Sequence, residues 1–349
     1  MHRTPTRGAW KIHDPTASIT EHPCLLGLPR RGNLLILAFP LLAREIKIGV
    51  RSPDAVSKRF PTVMHSARQC LNAGVSIVQG KRLEVPGGRA VRTMEAGALD
   101  GTPVMVFHPT PSSRLFVRQH ADVGLRHGVR LIGFSRPGSG GSTMTAPGLR
   151  VVAEDAARVA DAAGLERFAV LGFSGGTPFA AATAALFPHR VRAVGLCAVV
   201  APLPLEELDE MDTEKRHLMD LLALDDTGLA AALLAEASEA DAAHLDAALA
   251  ASQAVTLRDA LADDDGAPTF DTIDFDYGAF APPWDVDVTA IIAPTWIWHG
   301  TADQVTPFAH AEWYAETLPH ATLVARPGLD HLGSFEAHRD DMLATLRDA

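Results

Sequence analysis

Cysteine is scarce in this chain: three in 349 residues, Cys24, Cys70 and Cys197, with no C-x-x-C pair and no cysteine–histidine spacing. That pattern suggests neither a disulfide framework nor a zinc site, and it makes a reducing, cytoplasmic compartment the expectation. Basic charge is also in short supply. Lys and Arg total 31 against 42 Asp and Glu, a formal charge of −11 and a pI near 5.7, which argues against nucleic acid or an anionic membrane surface as a partner. No apolar run approaches the ~18 residues of a membrane span. Leu34 to Ala43 is apolar but is interrupted by Pro40, and it lies too far in, with no small-residue cleavage site after it, to read as a secretory signal. A phosphate loop is missing too: the glycines at 172, 175 and 176 do not meet G-x-G-x-x-G, and no G-K-[ST] accompanies them.

Residues 1–74 are rich in Arg, His and Pro and hold no period for long. They are expected to be an N-terminal extension, disordered or not part of the native protein. From Lys81 onward the pattern is readable. Arg82 to Val85 and Arg89 to Glu95 flank Pro86-Gly87-Gly88 and predict a hairpin. Short apolar runs at 103–107, 129–134, from Phe168 up to the turn at Gly172, and at 191–200, 294–298 and 321–325 read as strands. Helical spacing appears at 114–127, 149–163, from Thr177, from Thr306 and at 336–347. Strands alternating with helices predict a parallel sheet covered on both faces. The alternation stops between 202 and 286. There helices are expected near 205–223, 228–237, 239–250 and 252–262, an insertion placed as a cap over the carboxyl edge of the sheet, where open α/β sheets put their sites. The core is then 81–201 with 287–349.

The stretch from Phe168 to Phe187 is a strand-length apolar run, a turn with three glycines and an alanine-rich helix, and its centre, Gly172-Phe173-Ser174-Gly175-Gly176, satisfies G-x-S-x-G. In a strand–turn–helix context that spelling is a nucleophile elbow: the turn pushes serine out in a strained conformation, and glycines at 172 and 176 let strand and helix pass closely. Pro178 suits the first helical turn, where no N–H partner is lost.

A serine hydroxyl needs a base, and the base needs a group that fixes its tautomer. Asp303 follows the strand 294–298, and His331 lies in the loop after 321–325, so Ser174, Asp303 and His331 come from strand ends that a parallel sheet brings to one edge. Asp285 and Asp287 are reserves for the acid. Asp330 adjoins His331 and points elsewhere. His108 and His299 read as structural, and Thr306 with Pro307 reads as a helix start. An oxyanion formed at Ser174 needs two N–H donors: Gly175 supplies one, and since Pro109 and Pro111 have no N–H, Thr110 supplies the other. The Thr110–Pro111 bond is a candidate for the cis form. Phe270, Phe275, Tyr277, Phe280 and Trp284 are candidates for an acyl pocket, with packing an equal alternative.

His108-Pro-Thr-Pro111, Arg136-Pro-Gly-Ser-Gly-Gly-Ser142 and Gly172-Phe-Ser-Gly-Gly176 together make residues 81–349 resemble the α/β-hydrolase superfamily, in its capped branch. The resemblance implies a mostly parallel eight-stranded sheet, a helical cap and the triad above, with no metal or organic cofactor. It implies a small-molecule substrate, a small ester first. An N-terminal-residue aminopeptidase is the alternative, for which Glu206, Glu207, Asp209 and Glu210 are available to bind an amine; a non-catalytic ligand-binding member of the fold is the contrasting class. Pro109 stands where relatives have glycine, and Ser135 where many have aspartate.

Overall fold

The sheet owes its form to apolar runs too short for helices and rich in β-branched and aromatic residues. The computed structural model describes residues 76–78, 80–202, 211–236, 245–262 and 269–349, so the expectations for 1–74 and for the carboxylates at 206–210 lie outside the described residues. Nine strands follow in chain order: β1 Ser76–Val78, β2 Arg82–Val85, β3 Arg89–Gly97, β4 Thr102–Phe107, β5 Val129–Phe134, β6 Phe168–Phe173, β7 Val191–Cys197, β8 Thr295–Gly300 and β9 Ala321–Arg326. Eight form one path, β1-β3-β5-β4-β6-β7-β8-β9, and β2 pairs with β3 off that path. β4 through β9 run mutually parallel, while β3 is antiparallel to β5, β1 and β2. The predicted hairpin is present, with Val85 opposite Arg89. β1 was not anticipated, so the sheet begins a few residues before 81.

Period-2 alternation divides the core. Met105, Phe107, Phe168 and Val170 belong to one buried cluster, and Val104, Val106, Ala169, Leu171 and Phe173 to the other. The central strand β6 is buried at all six positions, as a strand covered on both faces must be. Each fully buried Val, Leu or Phe contributes roughly 1.5–3 kcal/mol. One face is covered by α1 Phe116–Gln119, α2 Ala121–Arg126 and the last helix. The other is covered by α3 Leu149–Ala162 and α4 Thr177–Leu186. The single helix expected over 114–127 is broken at His120 (φ −115°, ψ 16°), a residue belonging to neither piece.

Between β7 and β8 the described insertion contains α5 Met211–Leu222, α6 Asp226–Glu236, α7 Ala247–Ala260 and α8 Asp271–Phe280. The expected boundary near 251 is absent, because α7 runs straight through it. α8 was not anticipated. Leu218, Leu229, Leu257, Ile273 and Phe275 join the cluster that includes α3 and α4. The chain closes with α9 Phe308–Thr317, α10 His331–Glu336 and α11 Arg339–Asp348. His331 therefore opens a short helix instead of sitting in a loop. No helix among the described residues is long and apolar enough to cross a membrane.

Candidate active site

The carboxyl ends of β4, β5, β6, β8 and β9 carry the residues that the sheet brings to the site, and α8 adds Asp276 and Phe280 from outside it. Ser174 directly follows β6 and has φ +51°, a left-handed conformation that costs a non-glycine residue on the order of 1–3 kcal/mol and persists where the surroundings enforce it. The flanking glycines explain how. A Cβ on Gly172 would lie 2.8 Å from the Thr177 Cα and 3.0 Å from the Ala180 Cβ, so this glycine lets strand and helix pass, as expected. Gly176 works differently: its Cβ would fall 2.7 Å from the Phe107 carbonyl carbon and 2.8 Å from the His108 oxygen. The close approach at 176 is thus to the end of β4, not to the elbow's own strand. Thr177 Oγ1 donates to the Ser174 carbonyl at 2.7 Å and accepts from the Val200 N–H at 3.0 Å, which fixes the turn to the neighbouring β7 end.

Ser174, His331 and Asp303 are brought together. His331 Nε2 lies 3.0 Å from Ser174 Oγ, and His331 Nδ1 lies 2.9 Å from Asp303 Oδ2. All three are buried, at 4%, 8% and 6% exposure. Asp303 Oδ1 accepts from the Val305 and Thr306 N–H groups, both at 2.9 Å, and Oδ2 also accepts from the Thr306 hydroxyl at 2.8 Å. Burial alone would push this carboxyl up, but the His331 and His299 rings and the Thr306 N–H outweigh it and hold it below the usual carboxylate range. Thr306 is consequently not a helix cap. α9 starts after Pro307, and the turn before it is organised by Asp303.

The other sequence candidates have structural roles. Asp285 Oδ1 accepts from the Leu149 and Arg150 N–H groups at 3.0 and 3.2 Å, capping α3; Asp287 accepts from the Thr289 N–H. Asp330 accepts from the Gly333 N–H at 2.8 Å as the N-cap of α10, as its expected orientation away from the site requires. His299 accepts from the Val199 N–H through Nδ1 and donates through Nε2 to the Thr306 carbonyl. Burial lowers its basicity, consistent with that neutral tautomer.

Thr110 sits beside the elbow. A Cβ on Gly175 would lie 2.9 Å from the Thr110 Cβ and 3.1 Å from the Phe280 ring, so the loop after β4 and helix α8 both close on the residue after the serine. The Thr110–Pro111 bond is cis. Of the aromatic candidates, Phe275 and Phe280 pack on Phe179 with ring centroids 6.2 and 5.8 Å apart, whereas Trp284 packs on Trp313 and Tyr314, towards α9.

One feature of the site escaped sequence reasoning. Arg136 and Asp276, both 0% exposed, form a bidentate ion pair, Nε to Oδ1 at 2.8 Å and Nη2 to Oδ2 at 2.5 Å. A signal was present in α8. Asp271 and Asp274 face solvent with Gly278, while Asp276 falls out of phase with them, on the buried side with Thr272, Ile273 and Phe280. An acid on the apolar face of a helix demands a partner.

A family model for the alpha/beta hydrolase fold matches residues 102–337. No curated protein matches the chain in sequence. Among solved structures, a hydrolase from Pseudomonas aeruginosa PA01 superposes with a TM-score of 0.58 at 22% identity, over 80% of this chain and 100% of that one. An alpha/beta hydrolase fold protein from Nakamurella multipartita gives 0.58 at 25% identity, over 77% and 99%. An esterase from Exiguobacterium antarcticum gives 0.54 at 23% identity, over 77% and 98%.

Proposed function

The chain belongs to the alpha/beta hydrolase fold family, and from that premise we propose that it is a serine hydrolase acting on a small ester through an acyl-enzyme on Ser174. The observation that carries this reading is the continuous relay from Ser174 Oγ to His331 Nε2 at 3.0 Å and from His331 Nδ1 to Asp303 Oδ2 at 2.9 Å.

In the first half-reaction Ser174 Oγ bonds to the ester carbonyl carbon as its proton passes to His331 Nε2. Asp303 holds Nδ1–H, so that Nε2 is the free lone pair, and stabilises the imidazolium that forms. The carbonyl oxygen becomes an oxyanion held by the N–H groups of Gly175 and Thr110, each worth on the order of 3 kcal/mol in the barrier. The carbon–oxygen bond to the leaving alcohol then breaks and that alcohol takes the proton from His331. Water repeats the sequence in the second half-reaction: its proton goes to His331, its oxygen to the acyl carbon, and Ser174 recovers its proton as the acid leaves. The helical insertion acts as a cap, with Phe280 beside Gly175 presenting an apolar surface to the acyl group. Esterases among the similar structures, from Exiguobacterium antarcticum and Thermogutta terrifontis, favour an ester over an amide.

Intact mass after treatment with a fluorophosphonate tests the reading. One adduct on the wild type, absent from Ser174→Ala, is the expected outcome, together with faster turnover of p-nitrophenyl acetate than of the matching anilide. Folded wild-type protein that takes up no adduct overturns it.

A further inference from the structure

We propose that Asp276, carried by the inserted helix α8, is a positioning residue for the oxyanion loop, acting through Thr110 and Arg136. The inference rests on the serine hydrolase reading and extends it to a residue 102 positions beyond the nucleophile and outside the sheet (276 against 174).

Three consecutive loop residues depend on one guanidinium. Arg136 Nη1 donates to the His108 carbonyl at 2.5 Å, and Nη2 donates to the Pro109 carbonyl and to Thr110 Oγ1, both at 3.1 Å. His108 adds a second donor to the Pro109 carbonyl, its Nδ1–H at 2.9 Å, while its Nε2 accepts the Arg136 backbone N–H at 3.3 Å. That requires a neutral ring, and burial followed by the nearby Arg136 charge keeps His108 well below the usual histidine range.

Peptide planarity converts these contacts into an orientation for the catalytic donor. The Pro109–Thr110 peptide is trans, so the Pro109 C=O and the Thr110 N–H point in opposite directions within one plane. Two donors on the Pro109 oxygen fix that plane and therefore the direction of the Thr110 N–H. Pro109 and Pro111 bring no N–H of their own with which the loop could anchor itself.

Asp276 makes the arrangement possible. Its carboxylate takes two guanidinium N–H bonds and accepts the Thr110 hydroxyl at 2.5 Å, so that it holds Thr110 directly as well as through Arg136. Arg136 Cζ also lies 4.8 Å over the Phe179 ring. A guanidinium this buried is costly without a counter-charge, and among the described residues its only ion pair is with Asp276. The insertion has other ties to the core that leave the loop alone, notably Arg114–Asp259 at 2.8 Å and Gln119–Thr256 at 2.9 Å. Asp259 is therefore the control for docking of the insertion as such.

Steady-state hydrolysis of p-nitrophenyl acetate and inhibition by a trifluoromethyl ketone, which forms an oxyanion on the serine, distinguish positioning from mere packing. For Asp276→Asn, kcat should fall on the order of 10- to 100-fold with KM within about threefold, and the ketone inhibition constant should rise by the same factor as kcat/KM falls. Thr110→Val keeps the N–H and removes only the hydroxyl; it should show the same pattern, and the double variant should lose less than the product of the two. Asp259→Asn should leave kcat and ketone affinity unchanged. An Asp276→Asn enzyme with wild-type kcat, or one whose loss appears in KM alone or is matched by Asp259→Asn, overturns the proposal. Should Asp276→Asn not fold, Thr110→Val carries the same test, since the ion pair stays intact. A wild type that neither hydrolyses esters nor accepts a fluorophosphonate overturns the hydrolase reading itself, an outcome distinct from an active wild type insensitive to these substitutions.

Discussion

Asp303 performs two tasks with two oxygens. Oδ1 accepts both backbone N–H groups of the following turn, and Oδ2 faces His331 Nδ1. Asp303→Asn should separate them. The amide oxygen of asparagine takes over the turn contacts, leaving its NH₂ towards His331. An N–H facing Nδ1 forces the tautomer with hydrogen on Nε2, which has no lone pair for the serine proton. The expected result is a fall in kcat on the order of a thousand-fold with the thermal midpoint nearly unchanged; a midpoint that collapses along with activity would mean that the turn depends on the charge. The same carboxylate shows what a sequence does and does not disclose at this scale. Its place after an apolar strand was legible and marked it as a candidate. That it also builds the turn was not, because sequence reasoning assigned that turn to Thr306. Asp276 was missed for a related reason: its only local sign is that it falls out of phase with the exposed acids of α8, and its meaning depends on Arg136, 140 residues away.

Elements were legible where their own period named them, whereas the contacts that distant residues make at their ends were not. β4, β5, β6 and the hairpin of β2 and β3 follow from runs and turn residues within a few positions. The start of α3 falls where the spacing put it, at Leu149, but what caps it was not legible. Its N-cap is Gly148, which offers no side chain, and the cap is supplied by Asp285 from the end of the insertion. Asp285, a reserve candidate for the catalytic acid on sequence grounds, is thus the cap of a helix 135 residues earlier. Asp285→Ala should destabilise the protein by about 1–2 kcal/mol, the usual cost of losing an N-cap, while Ser174 keeps its fluorophosphonate reactivity. Chemical denaturation followed by labelling of the folded variant checks both halves. Loss of labelling in a stable variant would return Asp285 to the catalytic site. The break at His120 belongs with these cases: helical spacing across 114–127 is real, yet tertiary packing on Phe116 and Phe335, with ring centroids 4.7 and 5.0 Å away, holds the histidine out of the helix.

At the scale of the whole molecule, the buried histidines should govern the response to acid. His120 is held at about 3 by burial first and the Arg339 charge second, against a modest upward pull from Asp122. His108 is likewise lowered well below 6.5. Both bind a proton in the unfolded chain below about 6.5 and not in the folded one, so each contributes stability at neutral pH that is lost as pH falls. For His120 the window runs from about 6.5 down to about 3, and between pH 7 and pH 5 the loss is about 2 kcal/mol. Glu336, 4.0 Å from the ring, acts in the opposite sense. Burial raises it to about 7, so the proton it keeps in the folded state favours folding below 4.5 and ceases to do so as pH rises through 7. The wild-type profile mixes these terms, and one substitution separates them. His120→Phe places a third ring between Phe116 and Phe335 and removes the titrating group, so its unfolding free energy should drop less between pH 7 and pH 5 than the wild type's, by about 2 kcal/mol. Urea titrations at the two pH values give that difference directly. Equal losses in the two proteins would mean that His120 takes up its proton without unfolding. In that case Glu336, whose carboxyl group lies 4.0 Å from the ring, is the group that accommodates the charge.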